Sequence, residues 1–511
     1  MILSDQKEVT AFLGARETHG VETPVEIIDT HISRIFLAGP RAYKLKRAVL
    51  LPYADFSSPA IRAAGCDKEL ALNAPTAPDL YLGVRRITRA PSGKLCFDGT
   101  GPLVDAVVEM VRFDQEALLD RVAERGGLTA AHIEALARDI AEFHARAPVI
   151  RGIGGAEDMA AVLDINARGF ATSRVFTRTE ARALDESLRR ALARHAGWLD
   201  RRALAGRLRR CHGDLHLRNI CLVEGRPRLF DCIDFNDDLA TVDVLYDLAF
   251  LLMDLWHRGF KALANLLANR YFDATGEDDG FGLLPFLMAV RAQVRAHVIA
   301  TASESGGDRD EAQAALARSY FDLAKALVAP GRKSVVALGG FSGSGKTTLA
   351  GLLAPALGRP PGARIVESDL TRKALFGLAP EQPLPPDAYA DKVSDAVYRR
   401  LADRAAALVH GGASALIGAV YDRAERRAAL ERALSQGGVR HALLWLEVSP
   451  EMLRERIAHR GDSASDATLN VLTRQLARDA GEIGWVRIDA DGSVDATQAA
   501  LRAALAAQGA V

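Results

Sequence analysis

The sequence predicts a mixed chain, an α+β part followed by an α/β part built on a doubly wound parallel sheet. Three observations carry this reading. Residues 25–50 alternate with a period of two on either side of a Gly39-Pro40 turn, which marks paired strands. Leu- and Ala-rich helical patterns then take over, most densely across residues 244–326. From Ser334 onward strand and helix signals alternate one for one, which argues for a parallel sheet covered on both faces.

Composition narrows the function classes. At 511 residues the chain exceeds one ordinary core, and length alone suggests about three domains, or two if one is large. Sixty-five basic residues cancel 65 acidic ones, so the basic footprint of a nucleic-acid binder is missing and no nucleic-acid partner is expected. Hydrophobic residues at 49% and charged residues at 25% are ordinary for a soluble globular chain. The five cysteines, Cys66, Cys96, Cys211, Cys221 and Cys232, form no CxxC pair and read as reduced thiols of a cytoplasmic protein. The stretch MILSDQKEVTAFL lacks the pattern of a signal peptide. The most apolar run, Val244 to Trp256, contains Asp247 and Asp254 and is too short to span a bilayer, so it reads as a buried helix and no membrane partner is expected.

Taken in order, VEIIDTHISRIFLAG and RAYKLKRAV are the first strand signals, with Lys44 on the second arm. Glu69 follows in the helical pattern GCDKELALNA. Two more strand signals, LYLGVRRITRA and KLCFDG, precede a strand from Val107 to Phe113, and then come the helices EALLDRVAERGGL and TAAHIEALARDIAEFHARAP. His144, near the end of the second helix, reads as a core or capping histidine.

Residues 211–235, CHGDLHLRNICLVEGRPRLFDCIDF, bring chemistry together. Asp214 stands five residues before Asn219, and a strand signal then delivers Asp231. Phosphoryl transfer needs one carboxylate to orient a hydroxyl and accept its proton, with an amide and a second carboxylate to hold magnesium. Asp214 suits the first role and Asn219 with Asp231 the second, with Asp234 as the other candidate ligand.

A linker with breakers, Ala329-Pro330-Gly331-Arg332-Lys333, leads to a β-branched strand at Ser334 to Leu338 and then to Gly340-Phe341-Ser342-Gly343-Ser344-Gly345-Lys346-Thr347-Thr348. This is GxxxxGK[ST] in its required context, strand before and helix after. The glycines let backbone N–H groups face phosphates, Lys346 reaches the β/γ oxygens and the Thr347 hydroxyl ligates magnesium. Gly340, Ser342, Gly343, Ser344, Gly345, Lys346, Thr347 and Thr348 are therefore the expected nucleotide-binding set, with ATP and Mg2+ as cofactors.

The HGD segment, with Asn219 and the later YDLA at 246–249, resembles the aminoglycoside phosphotransferases and related small-molecule kinases, which share the protein-kinase fold. That resemblance implies a bilobal domain over residues 1–328, its N-lobe to about 110 and its C-lobe from about 111. A P-loop NTPase domain over 334–511 then follows a linker at 329–333. It further implies that Lys44 holds the α- and β-phosphates with Glu69 as its partner. Lys46 faces the same way on a period-two strand, so alternation does not choose between the lysines, whereas the resemblance favours Lys44. No GxGxxG precedes the lysine, and the turn near His31, Ser33 and Arg34 would cover the phosphates instead. Helices 244–326 would cover the acceptor.

The second part resembles gluconate, shikimate and chloramphenicol kinases. There Asp369 would meet the acceptor hydroxyl, and Arg456 with Arg460, in RERIAHRGDSASDAT, would form the lid that clamps the phosphate. One departure is Gly418, in a strand where relatives tend to carry Asp, so that Asp369 or Asp422 would have to compensate. The expected activity is ATP-dependent phosphorylation of a small-molecule hydroxyl. The alternatives are a nucleotide-binding regulatory role for one half, or phosphorylation of nucleotides or nucleic-acid ends by the second.

Overall fold

A computed structural model describes residues 6–51, 54–151, 154–304, 310–379, 382–459, 469–478 and 480–509. The chain packs as two compact units, one of residues 1–158 with 197–251 and one of residues 159–196 with 252–511.

The first unit is built on a six-stranded antiparallel sheet. Its strands are β1 (Glu26–Asp29), β2 (Ser33–Ala38), β3 (Arg41–Lys46), β4 (Tyr81–Arg89), β5 (Leu95–Phe97) and β6 (Leu103–Val111), in spatial order β1-β2-β3-β6-β4-β5. The strand expected to run on after Val111 is thus a central one, paired with both β3 and β4. Alternation along β3 divides its side chains between two cores. Tyr43 and Leu45 pack with Val9 and Leu13 of the helix Lys7–Gly14. Ala42 lies on the other face, with Ala63 and Cys66 of the helix Pro59–Asn73. Lys44 and Lys46 share the parity of Ala42, so the strand turns both toward that helix. The helix begins where Ser58 accepts from the Ile61 N–H at 3.3 Å and Pro59 presets φ. Farther along, a short hairpin of β7 (Ile220–Val223) and β8 (Arg226–Leu229) follows the HGD segment.

The second unit contains a five-stranded parallel sheet of β9 (Val335–Gly339), β10 (Arg364–Glu367), β11 (Ala415–Gly418), β12 (His441–Glu447) and β13 (Val486–Asp489), in order β10-β11-β9-β12-β13. Sequence neighbours are not always sheet neighbours, and both faces carry helices, as a doubly wound sheet requires. One core joins Val336 and Leu338 of β9 to Leu349 and Leu353 of the helix Lys346–Leu353 and to Leu501 and Leu505 of the helix Val494–Ala507. Buried Arg364, at the start of β10, reaches Asp273 at 2.7 Å and Asp278 at 2.9 Å, and Asn265 in the helix Lys261–Thr275 donates to the carbonyls of Pro361 and Ala363 at 3.0 Å each. That helix therefore holds the start of the strand whose far end carries Glu367. The stretch Asp278–Glu304 is long and apolar enough to cross a membrane, but 78% of its most apolar window is buried inside the protein, as befits a core helix.

Candidate functional site

In the first unit, β3, the helix Pro59–Asn73 and the turn after β8 converge on a chain of charges. Lys44 Nζ lies 2.7 Å from Glu69 Oε1 and 2.5 Å from Asp231 Oδ1. Lys46 Nζ lies 2.7 Å from the other Glu69 oxygen and donates to Asp234. Both lysines and both candidate aspartates are thus engaged, and exposure separates them. The Lys46 and Asp234 side chains are 1% and 7% exposed, whereas those of Lys44 and Asp231 are 12% and 44% exposed. One pair is sealed and the other meets solvent.

The electrostatics follow from this packing. Burial alone would raise the Glu69 carboxyl, but the two ammonium groups outweigh it and hold Glu69 down at about 2. Burial opposes the charge on Lys44 as well, yet Asp231 and Glu69 raise it well above the usual lysine range. For Asp234 burial wins, and its carboxyl is raised despite Lys46.

Asp214 is the acidic group of the adjoining loop. Its Oδ2 accepts from Asn219 Nδ2 at 2.9 Å and lies 3.3 Å from His216 Nε2, while its own side chain remains 39% exposed. Asn219 also caps the Asp214 carbonyl at 2.9 Å, so one amide fixes both ends of the residue. The loop's shape needs Gly213, whose φ is +85° and where a Cβ would come within 2.9 Å of Ile233 Cδ1. Asp247 anchors it from below by accepting from the N–H groups of His212 and Gly213 at 3.2 and 2.8 Å. His144 is buried and also bonds Asp247, at 3.2 Å, the core role its sequence suggests. Asp231 adopts φ +62°, an uncommon conformation for a non-glycine residue, and its N–H donates to the Tyr81 hydroxyl at 3.2 Å. Arg34, expected near the phosphates, is held by Asp29 at 2.6 Å.

In the second unit the loop after β9 and the helix Lys346–Leu353 border a cavity of about 640 Å³. Lys346 Nζ donates to the carbonyls of Gly340 and Phe341 at 2.7 and 2.9 Å and to Ser344 Oγ at 3.2 Å. Gly340, Gly343 and Gly345 all hold positive φ, between +87° and +145°. Ser342, Gly343, Ser344, Gly345, Lys346, Thr347 and Thr348 all line the cavity.

Glu367, at the end of β10, is not among the site residues expected from the sequence. Its Oε1 accepts from Thr347 Oγ1 at 2.6 Å. Glu367 stands beside Gly418 in the sheet register, and a Cβ on Gly418 would meet Glu367 Cγ at 3.7 Å. Glu367 of β10 therefore sets a carboxylate beside the Gly418 position, while Asp369 and Asp422 line the same cavity, Asp422 at 3.0 Å from Arg478. The spacing Glu367-Ser368-Asp369 at a strand end was the available signal. Burial pushes the Glu367 carboxyl up.

Asp369 and Arg456 line the same cavity, and Arg456 Nη2 donates to the Ala490 carbonyl at 2.9 Å. Arg460 lies outside the described residues. Arg474 and Arg478, from the helix Leu469–Leu476 and just beyond it, also line the cavity and were not singled out from sequence.

Comparison with known proteins matches residues 103–284 to the phosphotransferase enzyme family and residues 335–480 to an AAA domain family. Uncharacterized proteins of Mycobacterium tuberculosis and Mycobacterium bovis are 28% identical over 495 residues, spanning 94% of this chain and 95% of each relative. Among solved structures, a choline/ethanolamine kinase family protein from Mesorhizobium loti is 16% identical, covering 64% of this chain and 95% of its own, with a TM-score of 0.40. A gluconokinase from Sinorhizobium meliloti 1021 is 24% identical, covering 35% of this chain and 94% of its own, with a TM-score of 0.24. The matched segments make the chain a kinase, with a phosphotransferase-type part followed by a nucleotide-binding P-loop part.

Proposed function

We propose that the chain is an ATP-dependent phosphotransferase that phosphorylates a small-molecule hydroxyl, with one phosphoryl-transfer site at Asp214 and a second at Lys346. The observation that carries the reading is Lys44, which meets Glu69 and Asp231, the latter 187 positions away, in one ion-pair chain, with the half-exposed Asp214 on a loop that His212 bonds to Phe230 and Ile233 on either side of Asp231. A cation held by one buried carboxylate and a second, solvent-facing carboxylate next to an oriented third is the equipment that phosphoryl transfer uses.

Lys44 holds phosphate oxygens, with Glu69 keeping it aimed, and Asp214 accepts the proton of the acceptor hydroxyl. Asn219 and Asp231 offer the hard oxygen donors that magnesium takes. Bound there, magnesium would neutralise triphosphate charge. In the second unit the Thr347 hydroxyl and Glu367 are a matching donor set, Lys346 holds phosphate, Asp369 meets the acceptor hydroxyl, and Arg456 clamps the phosphate. Rate enhancement at both comes from positioning and charge neutralisation. On this reading residues 1–328 and 334–511 are the two enzymes, joined by 329–333, acting on small acceptors in the cytoplasm.

A second reading starts from Gly418. With no carboxylate on β11, the P-loop half binds ATP without turnover and regulates the first. One experiment tests both: a screen for phosphorylated products from a metabolite extract, using wild type, Asp214→Ala and Lys346→Ala. The first reading expects each variant to lose a different product. Loss of every product in Asp214→Ala, with ATP still bound at the P-loop, selects the second. Unchanged products in both variants refute the assignments.

A further inference from the structure

Four successive backbone N–H groups in the segment that carries Asp231 are engaged, from two different sources. At its ends, Phe230 and Ile233 donate to the carbonyls of Asn219 and His212 at 3.1 and 2.9 Å, which registers the segment on the Asp214 loop. Between them, the Asp231 N–H donates to the Tyr81 hydroxyl at 3.2 Å and the Cys232 N–H to Asn73 Oδ1 at 2.9 Å. These two acceptors are buried side chains, one at the start of β4 and one at the last residue of the helix Pro59–Asn73. Asn73 has a second tie, because its Nδ2 donates to the Glu69 carbonyl at 2.8 Å. The captured N–H groups sit at the point of backbone strain. At φ +62° the Asp231 Cβ crowds the backbone, and such a conformation persists only where the surroundings over-determine it. Without the two acceptors, strain and unpaired N–H groups would both favour rotation to an ordinary backbone, carrying the carboxylate off Lys44.

We propose that Tyr81 and Asn73 are positioning residues of the first phosphoryl-transfer site. They hold the Asp231 turn in its left-handed form, and Asn73 ties that turn to the helix bearing Glu69. One helix thereby sets both carboxylates that meet Lys44, Glu69 directly and Asp231 through the turn it holds. This rests on the kinase reading of the first unit and names the residues that aim its metal-holding carboxylate.

The test uses the full chain carrying Lys346→Ala and reads Mn2+ affinity by electron paramagnetic resonance with a non-hydrolysable ATP analogue present. The first-site signal is the part that Asp231→Asn removes. Tyr81→Phe, which deletes one oxygen, should weaken this Mn2+ affinity about 5- to 30-fold, as should Asn73→Leu, while affinity for the analogue without metal changes by less than about 2-fold. The double variant should lose less than the product of the two single losses, because either one releases the same turn. Parent-like Mn2+ affinity in Tyr81→Phe overturns the proposal. So does an equal loss of metal-free analogue binding, which would mark general damage to the fold. If Asn73→Leu does not fold, Tyr81→Phe decides alone. Mn2+ binding that Asp231→Asn leaves untouched refutes the metal-holding role of Asp231 itself, and with it the kinase reading of this unit.

Discussion

Replacing either of two lysines, two residues apart on one strand, should have opposite consequences. In Lys46→Met the removed ammonium leaves Asp234 and one oxygen of Glu69 without a partner, and their side chains are only 7% and 1% exposed. Breaking a buried pair by deleting one partner costs about 3–5 kcal/mol because the surviving charge is stranded. In Lys44→Met the released Asp231 carboxylate is 44% exposed and takes up water, while Glu69 keeps Lys46. The cost there is about 1–2 kcal/mol. A unit of this size loses about 2–4 °C of Tm per kcal/mol, so Lys46→Met should fall by about 10 °C and Lys44→Met by about 5 °C. Activity should invert the order. Lys44→Met should lose about 100-fold in turnover at the first site, whereas Lys46→Met, assayed below its melting temperature, should retain most of it. Scanning calorimetry on the full chain resolves the first part, and ADP release with Lys346→Ala as background resolves the second. If Lys44→Met is the less stable variant, or Lys46→Met the less active one, the division into a sealed pair and a working pair is wrong.

Two further outcomes are expected. Glu69 is depressed to about 2 in the fold from an ordinary 4.5, so its ion pairs stabilise the protein above pH 4.5 and that contribution is lost as pH falls toward 2. Glu69→Gln should flatten the acid limb of a stability–pH curve in that window, and an unchanged slope would contradict the pairing. Gly213→Ala places a Cβ 2.9 Å from Ile233 Cδ1 at φ +85°, and should cost about 2–4 kcal/mol in urea unfolding together with turnover at Asp214. Wild-type stability would show that the loop has another way to make its turn.

Much of the first site was legible because its residues sit in local patterns. HGD with Asn219 five residues on is one loop, and the hairpin that delivers Asp231 is the next element. The P-loop was still plainer, since strand, glycines, Lys346 and helix are contiguous. The sequence marks Glu367 only by its strand-end spacing with Asp369, which does not say which of the two carboxylates turns to the phosphate loop. Glu367 becomes significant only when the parallel sheet sets it beside Gly418 and turns it to Thr347.

By itself the sequence determined the chemistry and the face each lysine occupies, since period-two alternation puts Lys44 and Lys46 on one side of β3 whatever they meet. Only the tertiary structure decided which of them meets solvent and which is sealed. Alternation specifies a face of a strand, but the depth of burial depends on what is packed against that face. The helix Pro59–Asn73 and the turn holding Asp231 and Asp234 come from distant parts of the chain.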